Sequence, residues 1–342
     1  MHAGFVREIT RQHCFKTKSV PWILKIYGYP FHRWASPRRQ ALFGAPYFLL
    51  YFLYQRFWPF QIQGTFTYNS GTEKLIHFNP KNSQFHSVYW EIFKNGYEPQ
   101  TTALINLITP PNGVFYDIGS NWGWFSLSLA ARSDFKGKIH AFEPFPGSYA
   151  DLCSTVKQAG LEVRIQCHAI AISDRCGDGT MHMADGFSSG LAGLDEKKVE
   201  GKQSIKIANL DSLSIDPPDV MKVDVEGNEE KVFVGGKNLI EKHKPMIVFE
   251  NVRAFTDVAG ALSPIFYLSE LGYLFYRLSW TRSLNQKDYC IGDDIEESVP
   301  EKELLTLVQF EPSERFMLAD GGNIFACPKE KLPELQKHFQ RV

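Results

Sequence analysis

Short apolar, β-prone runs alternate with helix-compatible segments through the middle of the chain. The predicted strands are residues 114–118, 138–142, 162–167, 220–225 and 244–250, and two predicted helices between them are residues 124–131 and 148–158. Strands that alternate with helices pair in parallel through right-handed crossovers, and the helices then cover both faces of the sheet. The pattern therefore predicts an α/β domain built on a doubly wound, mostly parallel sheet.

A different pattern precedes this domain. Residues 60–68 and 74–78 alternate between apolar and polar positions around the turn residues 69–71, which predicts a β-hairpin. We therefore divide the chain into an N-terminal accessory region, residues 1–85, and an α/β domain, residues 86–342.

The C-terminal part of the domain contains a long polar stretch. Residues 262–271 are predicted to form a helix, and residues 273–278 and 323–327 are predicted to form strands. Residues 279–320 between the two strands read as an insertion, which either shapes a binding site or is disordered.

The charge of the chain is unevenly distributed. Residues 1–60 contain nine Lys or Arg and a single acid, Glu8, whereas the whole chain has 37 basic and 38 acidic residues. The remainder therefore holds 28 basic and 37 acidic residues, and an acidic body argues against general nucleic-acid binding, which needs a basic face.

The basic N-terminal region contains an aromatic-rich apolar run. Residues 46–54 carry no charge, but Gln55 and Arg56 follow at once, so the run is too short to span a bilayer. Three interpretations remain, and one of them is a basic, acid-poor transit peptide of the mitochondrial type. The segment packs on the domain or on a second subunit, or residues 1–60 make a peripheral membrane contact, as basic and aromatic-rich helices do.

The cysteines indicate a reducing compartment. They form no CxxC pair and have no zinc-type spacing with histidine, so we expect free thiols. The N-terminus lacks the pattern of a cleavable signal peptide. We expect a cytoplasmic protein, with peripheral membrane attachment as the alternative. The six cysteines are Cys14, Cys153, Cys167, Cys176, Cys290 and Cys327.

Two glycines follow the first predicted strand, which carries an acid at Asp117. Gly119 and Gly123 come directly before a predicted helix. A backbone without Cβ turns sharply and lets a ligand approach, and free N–H groups at a helix start favour polar or anionic ligand atoms. The pattern predicts a loop that binds a nucleotide-type cofactor.

A second acid supports this prediction. Glu143 follows the next strand, 26 residues beyond Asp117. In doubly wound sheets the ligand binds at the carboxyl ends of the strands, where such an acid accepts the hydrogen bonds of a ribose diol. The alternative is a surface acid at a strand end before Pro144.

The glycine spacing distinguishes two cofactor classes. Dinucleotide-binding loops have the pattern GxGxxG, whereas here residue 121 is Asn. The loop resembles the first motif of the class I S-adenosylmethionine-dependent methyltransferases. That resemblance implies that the loop borders the methionine part of the cofactor, that Glu143 holds the ribose, and that the adenine lies beside Pro144, Phe145 and either Ala169 or Ile170. The implied cofactor-binding residues are Asp117, Gly119, Ser120, Asn121, Gly123, Glu143, Pro144 and Phe145.

Five motifs in order resemble the FkbM family of methyltransferases. They are residues 117–123 (DIGSNWG), 142–144 (FEP), 210–213 (LDSL), 222–229 (KVDVEGNE) and 244–250 (KPMIVFE). Membership implies a Rossmann-like sheet of seven strands with an antiparallel last strand. It also implies O-methyl transfer to a hydroxyl of a sugar, a glycolipid or a secondary metabolite.

The carboxylates after the fourth strand are the candidate catalytic groups. An alcohol is a poor nucleophile at neutral pH, so the enzyme must hold its oxygen on the methyl–sulfur axis and assist removal of its proton. Asp224 and Glu226 stand where a carboxylate can do this. The alternative is that Glu226 caps the next helix and that Asp224 only fixes the loop.

A metal ion is a second means of activating the hydroxyl. Asp224 with Glu250 and Asn251 after the next strand resembles the magnesium site of catechol O-methyltransferase-type enzymes, and oxygen ligands suit Mg²⁺. These acids can equally hydrogen-bond the acceptor. His168 and His182 are weaker candidate bases, because a lone histidine is more often structural.

The acceptor itself has no recognisable motif. Residues 180–183 and 204–207 alternate on either side of a Gly- and Ser-containing stretch, residues 185–201, which forms either a flap over the site or an ordinary surface loop. Two rival functions remain: an NAD(P)-dependent Rossmann oxidoreductase and a non-catalytic module with the methyltransferase fold.

Overall fold

The computed structural model covers the whole chain, and some segments fall outside the part that it describes. The described residues are 4–10, 15–19, 26, 42–47, 49–50, 52–53, 62–67, 71–79, 82, 97–182, 202–251, 257–281, 302–318 and 322–341. The predicted flap stretch at residues 185–201 lies outside them, as do residues 282–301 of the predicted insertion.

The elements follow the predicted alternation closely in the middle of the chain. The strands are β1 (Gly4–Thr10), β2 (Phe15–Ser19), β3 (Ile62–Thr67), β4 (Glu73–Phe78), β5 (Val114–Ile118), β6 (Lys138–Phe142), β7 (Ile165–His168), β8 (Ile170–Ile172), β9 (Gly177–His182), β10 (Lys202–Ala208), β11 (Val220–Val223), β12 (Met246–Glu250), β13 (Tyr273–Thr281), β14 (Lys302–Phe310), β15 (Asn323–Pro328) and β16 (Gln340–Arg341). The α-helices are α1 (Pro99–Ile108), α2 (Trp124–Ala130), α3 (Pro146–Ala159), α4 (Glu229–Gly235), α5 (Lys237–His243), α6 (Val258–Glu270) and α7 (Leu332–Leu335), and short 3₁₀ turns cover Leu210–Ser212, Pro312–Met317 and Lys329–Lys331.

The main sheet confirms the predicted α/β class. Its order is β16-β1-β14-β13-β15-β12-β11-β5-β6-β7, and the five strands from β12 to β7 pair in parallel. The predicted antiparallel strand is β15, which is antiparallel to both of its neighbours, whereas the predicted count of seven strands is not confirmed. Within the described residues the sheet has ten strands, because β14, β1 and β16 extend its edge.

Both ends of the chain contribute to this edge. β14 comes from the predicted insertion and pairs with β13, and β1 comes from the predicted accessory region and pairs with β14, with Phe5 opposite Leu307. Phe5 is 3% exposed and packs in the core beside Tyr276. The first strand of the chain therefore lies in the same sheet as the α/β domain.

The predicted N-terminal hairpin is confirmed. β3 and β4 pair antiparallel, and β2 completes a separate three-stranded sheet. β4 is held to α3, because the amide of His77 donates to Gln158 Oε1 at 2.7 Å and Gln158 Nε2 donates back to the His77 carbonyl at 3.1 Å. Asn79 and Asn82 add two bonds to the carboxylate of Asp151 on the same helix.

The core lies on both faces of the main sheet. Side chains alternate between faces along a strand, so Phe115 and Tyr116 of β5 point in opposite directions, and each belongs to a different buried cluster. The central strands are largely buried; all four residues of β11 are buried. Among the described residues, no helix combines the length and apolar character required to cross a membrane.

Candidate active site

The predicted acids meet at one edge of the main sheet. In the parallel ladder Ile118 of β5 lies opposite Val223 of β11 and Phe142 of β6, and Val223 also lies opposite Phe249 of β12. The residues that follow these positions therefore emerge side by side at the carboxyl ends of four neighbouring strands. This is the edge at which doubly wound sheets bind ligands.

The turn after β5 requires glycine at position 119. Gly119 has φ +80°, and a Cβ built on it would lie 1.7 Å from the carbonyl oxygen of Asp224. The end of β11 approaches this closely because the Asp224 amide donates to the Ile118 carbonyl at 2.9 Å. Glycine at position 119 therefore allows the ends of β5 and β11 to lie in contact.

Three amides of the loop before α2 are bound within the protein. The N–H groups of Gly119 and Ser120 both donate to the Phe142 carbonyl at 3.0 Å, and that of Gly123 donates to the Ser120 carbonyl at 2.8 Å. Their contribution is to tie the loop to the end of β6. The expectation that N–H groups at the start of the helix favour an anionic ligand stays a prediction.

Asp117 is buried behind the loop. Its Oδ2 accepts bonds from the Ser126 hydroxyl at 2.6 Å and from the Ser126 amide at 3.1 Å. Burial raises the pKa of Asp117 to about 6, against the lowering effect of these bonds and of Lys222. Asp117 therefore fixes α2 relative to β5 and closes the base of the loop.

Glu143 is buried at the end of β6 and binds the loop on one side. Its Oε2 accepts from the Asn121 amide at 2.9 Å and its Oε1 accepts from the Phe145 amide at 2.8 Å. Desolvation raises the pKa of Glu143 to about 7, although both backbone bonds lower it. Asn121 adopts a left-handed conformation with φ 49°, which asparagine tolerates better than most residues.

The residues after Glu143 face a small second sheet. β8, β10 and β9 form this sheet, and β9 pairs antiparallel with β10, so the two predicted flap strands are paired. The partly buried Phe145 packs against its apolar residues Ala171, Met181, Ile205 and Ile207. Pro144 is also partly buried, whereas Ala169 is exposed and Ile170 begins β8.

Three carboxylates form a cluster at the ends of β11 and β12. One oxygen from each of Asp224, Glu226 and Glu250 lies within 4.8 Å of the others. Desolvation, followed by the charge of Asp224, raises the pKa of Glu226 to about 7 and that of Glu250 to about 8. The cluster can therefore hold protons at neutral pH and can accept one from a bound hydroxyl.

A buried lysine lies beside this cluster. Lys222 is 0% exposed, and its Nζ donates to Asp224 Oδ2 at 3.0 Å. The ammonium lies 5.4 Å from the ring centre of Phe125. Desolvation lowers the pKa of Lys222, but the charges of Asp224 and Glu98 outweigh it and the pKa is raised, so the side chain stays cationic. Lys222 is a charged residue within the apolar run of β11. That position was a signal that Lys222 pairs with a buried acid, and sequence reasoning missed it.

Two further groups of this site come from distant parts of the chain. Glu98, directly before α1, has φ 42° and accepts a bond from Asn323 Nδ2 at 2.6 Å. Burial raises the pKa of Glu98, and Lys222 opposes this shift. Tyr97 precedes it, and burial together with Glu98 raises the pKa of its hydroxyl well above the usual value. No motif in the sequence marked these positions.

Asn251 does not fit the predicted metal site. Its Oδ1 accepts from Arg315 Nε at 2.8 Å, its Nδ2 donates to the Ala261 carbonyl at 2.7 Å, and the Arg315 guanidinium also donates to its carbonyl. A cationic guanidinium on the amide oxygen opposes a metal ion at the same atom. The prediction of Asn251 as a ligand is therefore wrong, and Glu226 occupies the third position with Asp224 and Glu250.

One candidate histidine base, His168, packs between two strands. The ring of His168 stacks on Phe142 at 4.7 Å between centres, and its Nε2 lies 3.1 Å from His140 Nδ1. Burial lowers the pKa of His168. This arrangement is that of a packed histidine pair between β6 and β7. The side chain of His182 lies outside the described part of the structure.

Glu143 gives the ligand-free protein a specific pH dependence. The folded-state pKa is about 7 and the ordinary value is 4.5, so folding favours the protonated acid. The protonated Glu143 contributes its full stabilisation below about pH 4.5, and this stabilisation is lost as the pH rises through about 7. Each unit of difference between the folded and unfolded pKa corresponds to about 1.4 kcal/mol. We therefore compare the unfolding free energy of Glu143→Gln with that of the unsubstituted protein. The difference, variant minus unsubstituted protein, should increase as the pH rises from 5 to 8.

Urea denaturation at several pH values measures this difference. Glu162→Gln removes an exposed carboxylate and serves as the control for the loss of one charge. Because Gln cannot reproduce both backbone bonds, the variant loses stability at every pH, and only the slope is diagnostic. Parallel curves for Glu143→Gln and the unsubstituted protein would contradict the assigned pKa shift.

Comparison with known proteins finds a family match in the central part of the chain. The family model described as the methyltransferase FkbM domain matches residues 115–275. These residues include the glycine loop, Glu143, the three-carboxylate cluster and Lys222. Residues 97, 98 and 323, which also contribute to the site, lie outside the matched range.

One curated relative and two solved structures illustrate the similarity. The hexuronic acid methyltransferase AglP of Haloferax volcanii is 29% identical over 164 residues, which are 46% of this chain and 64% of the relative. The crystal structure of methyltransferase FkbM from Methylobacillus flagellatus covers 66% of this chain and 53% of its own length, with 17% identity and a TM-score of 0.39. M. jannaschii TYW2 in complex with AdoMet covers 73% of this chain and 86% of its own, with 12% identity and a TM-score of 0.33. The chain thus spans less than two thirds of the curated relative.

Proposed function

Because the family model of the methyltransferase FkbM domain matches residues 115–275, we propose that the chain transfers a methyl group from S-adenosylmethionine to a hydroxyl oxygen. The acceptor is a sugar, a glycolipid or another hydroxyl-bearing metabolite. The observation that carries this proposal is the position of Asp224, Glu226 and Glu250 at the same sheet edge as the glycine loop and Glu143.

The residues around the loop fit the cofactor. Each carboxylate oxygen of Glu143 accepts one backbone bond, and an ionised carboxylate has about four lone-pair positions, so both oxygens keep room for one ribose hydroxyl. Pro144 and the partly buried Phe145 provide an apolar surface for the adenine. Gly119 and Gly123, both with positive φ, keep the loop narrow beside the methionine part.

The carboxylate cluster supplies the proton acceptor. S-adenosylmethionine would supply an electrophilic methyl group on a sulfonium. As the new C–O bond forms, the methyl–sulfur bond breaks, S-adenosylhomocysteine leaves, and the acceptor oxygen must lose its proton. Asp224 orients the hydroxyl and accepts its proton, and Glu226 and Glu250 each have a carboxylate oxygen within 4.8 Å of that of Asp224. Glu226 is exposed, so it can exchange the proton with solvent after the reaction.

Lys222 and Tyr97 shape the environment of the cluster. The buried ammonium of Lys222 holds one oxygen of Asp224 at 3.0 Å, which fixes its carboxylate and stabilises its charge. Tyr97 contacts the rings of Trp124 and Phe125, with ring centres 6.1 Å apart in each pair. This aromatic wall excludes water from the buried side of Lys222.

The proposal includes a magnesium ion bound by the carboxylate cluster. Asp224, Glu226 and Glu250 offer carboxylate oxygens, which suit a hard cation, and they would be the residues that hold it. An ion there would help to lower the pKa of the acceptor hydroxyl. Lys222 already provides one positive charge at Asp224, so the carboxylates can act with or without a metal.

One relative supports a sugar as the acceptor. The relative at 29% identity is a hexuronic acid methyltransferase, but the matched part covers 64% of that protein. We take a carbohydrate as the first acceptor class to test. The other hydroxyl-bearing metabolites are further arms of the same screen.

Ligand-induced thermal shift and labelled methyl transfer test the proposal together. We expect S-adenosylhomocysteine to raise Tm and NAD or NADP to leave it unchanged, because the loop lacks the third glycine of a dinucleotide site. With labelled S-adenosylmethionine and a glycan panel, label should appear in an acceptor. Stabilisation by NAD alone would support an oxidoreductase, and cofactor binding without transfer to any acceptor would support a binding module.

The same assay separates metal-dependent from metal-independent transfer. EDTA followed by added Mg²⁺ should abolish and restore the reaction when an ion is required. Unchanged transfer in EDTA would remove the magnesium part of the proposal and leave the carboxylate mechanism intact.

A further inference from the structure

The N-terminal region carries a helical segment with one apolar face exposed. Residues 42–47, 49–50 and 52–53 are helical where the structure describes them. Leu42 is 68% exposed, Leu49 60%, Phe52 56% and Leu53 39%. At 3.6 residues per turn, the spacings of 7, 10 and 11 residues from Leu42 return to the same side of a helix. We call these four side chains the apolar face.

The opposite side of the segment is anchored in the protein core. Tyr47 is 1% exposed and belongs to the large buried cluster that also contains Phe115 and Leu127, and Leu50 packs against this cluster. The sequence left two alternatives open, a packed helix or a surface helix. The segment has both properties, with one side packed and one side presenting large apolar groups to solvent.

The positive charge near the apolar face along the chain favours an anionic partner. Residues 1–60 contain nine basic residues and one acid, and Arg38, Arg39 and Arg56 lie within four residues of its two ends along the chain. A basic flank beside exposed Leu and Phe is the pattern of helices that lie in the interface of an anionic bilayer. Two copies of the same basic segment would repel each other, which disfavours self-association through this face.

We propose that the apolar face of residues 42–53 docks on the surface of an anionic lipid bilayer. Leu42, Leu49, Phe52 and Leu53 enter the boundary between headgroups and acyl chains, and the neighbouring arginines bind the lipid phosphates. Burial of the four apolar side chains and attraction between the arginines and the anionic surface both favour the bound state. This inference is independent of the methyltransferase reaction.

Vesicle flotation with the full chain tests the docking surface. The probes are phosphatidylcholine vesicles with and without phosphatidylserine. We expect the unsubstituted protein to float with the anionic vesicles, and binding to weaken with added salt. The double variant Leu49→Glu/Phe52→Glu should bind anionic vesicles at least about tenfold more weakly.

The chain offers a matched control. Val163→Glu/Met317→Glu introduces the same two charges at side chains that are 94% and 84% exposed on the body of the protein, and it should float like the unsubstituted protein. Equal Tm values for both variants check that they are folded. Equal flotation of the two variants, or no flotation of the unsubstituted protein, would overturn the proposal. A dimer that only the Leu49→Glu/Phe52→Glu variant loses would instead assign the face to a second copy of the chain.

Discussion

Replacement of Asp224 by Asn is expected to lower kcat by about 10²- to 10⁴-fold, the range of a lost general base, and to leave S-adenosylhomocysteine binding in place. The reason is positional. Asp224 contacts Lys222 at 3.0 Å and lies among the acids of β11 and β12, whereas we propose that Glu143 and the glycine loop bind the cofactor. Asn keeps the shape of the side chain and removes its ability to take a proton.

Single-turnover methyl transfer and isothermal titration with S-adenosylhomocysteine measure the two effects separately. Glu226→Gln, made separately, should also lower kcat and retain cofactor binding. Glu230→Gln removes an exposed acid from the helix after the cluster and should change neither quantity. Because the Asp224→Asn variant leaves the buried ammonium of Lys222 without its charged partner, Tm is recorded for each variant. Unchanged turnover in both Asp224→Asn and Glu226→Gln would remove these acids from the mechanism.

Substitution of Gly119 by Ala is expected to destabilise the protein by about 4 kcal/mol or more, which is exceptional for a single methyl group. Two costs add at this position. A residue with Cβ is strained at φ +80°, and that Cβ would lie 1.7 Å from the Asp224 carbonyl oxygen. The strand end cannot move away without breaking the 2.9 Å bond between the Asp224 amide and Ile118.

Gly160→Ala is the matched control for this prediction. Gly160 ends α3 with φ +72° and has no atom within 4 Å of the Cβ position, so its substitution carries the backbone strain alone, about 1–2 kcal/mol. Urea denaturation of both variants isolates the clash as the difference between their unfolding free energies. We also expect Gly119→Ala to lose S-adenosylhomocysteine binding. Equal destabilisation by the two substitutions would show that the contact between β5 and β11 can relax.

The sequence predicted the central fold because its signals are local. The buried strands of the parallel sheet are short apolar runs, and the helix α3 ends at Gly160, so periodicity and a turn residue placed them well. The extra edge strands gave no such signal. β1 and β14 pair across about 300 residues, with Phe5 opposite Leu307, and only the folded chain brings them together.

Some residues of the candidate site were likewise predictable from local sequence, and others were not. Asp224, Glu226 and Glu250 were predictable because each lies at or just after the end of a strand that points to the same edge. Asn251 was wrongly predicted as a metal ligand, because its amide is bound by Arg315, 64 residues away. Folding also decided that the Phe142 carbonyl accepts the amides of Gly119 and Ser120, which the sequence did not predict.

The sequence by itself determined the parallel pairing of the central strands, the glycine turn and the row of acids, because strand ends and turns are encoded by neighbouring residues. Tertiary structure alone decided which partners surround those acids. Lys222 meets Glu98 from the start of α1, and Glu98 meets Asn323 from β15, 225 residues away. The burial of Glu250 depends on this convergence. Burial in turn raises the pKa of Glu250 to about 8. No local pattern encodes it, because desolvation is a property of the packed site.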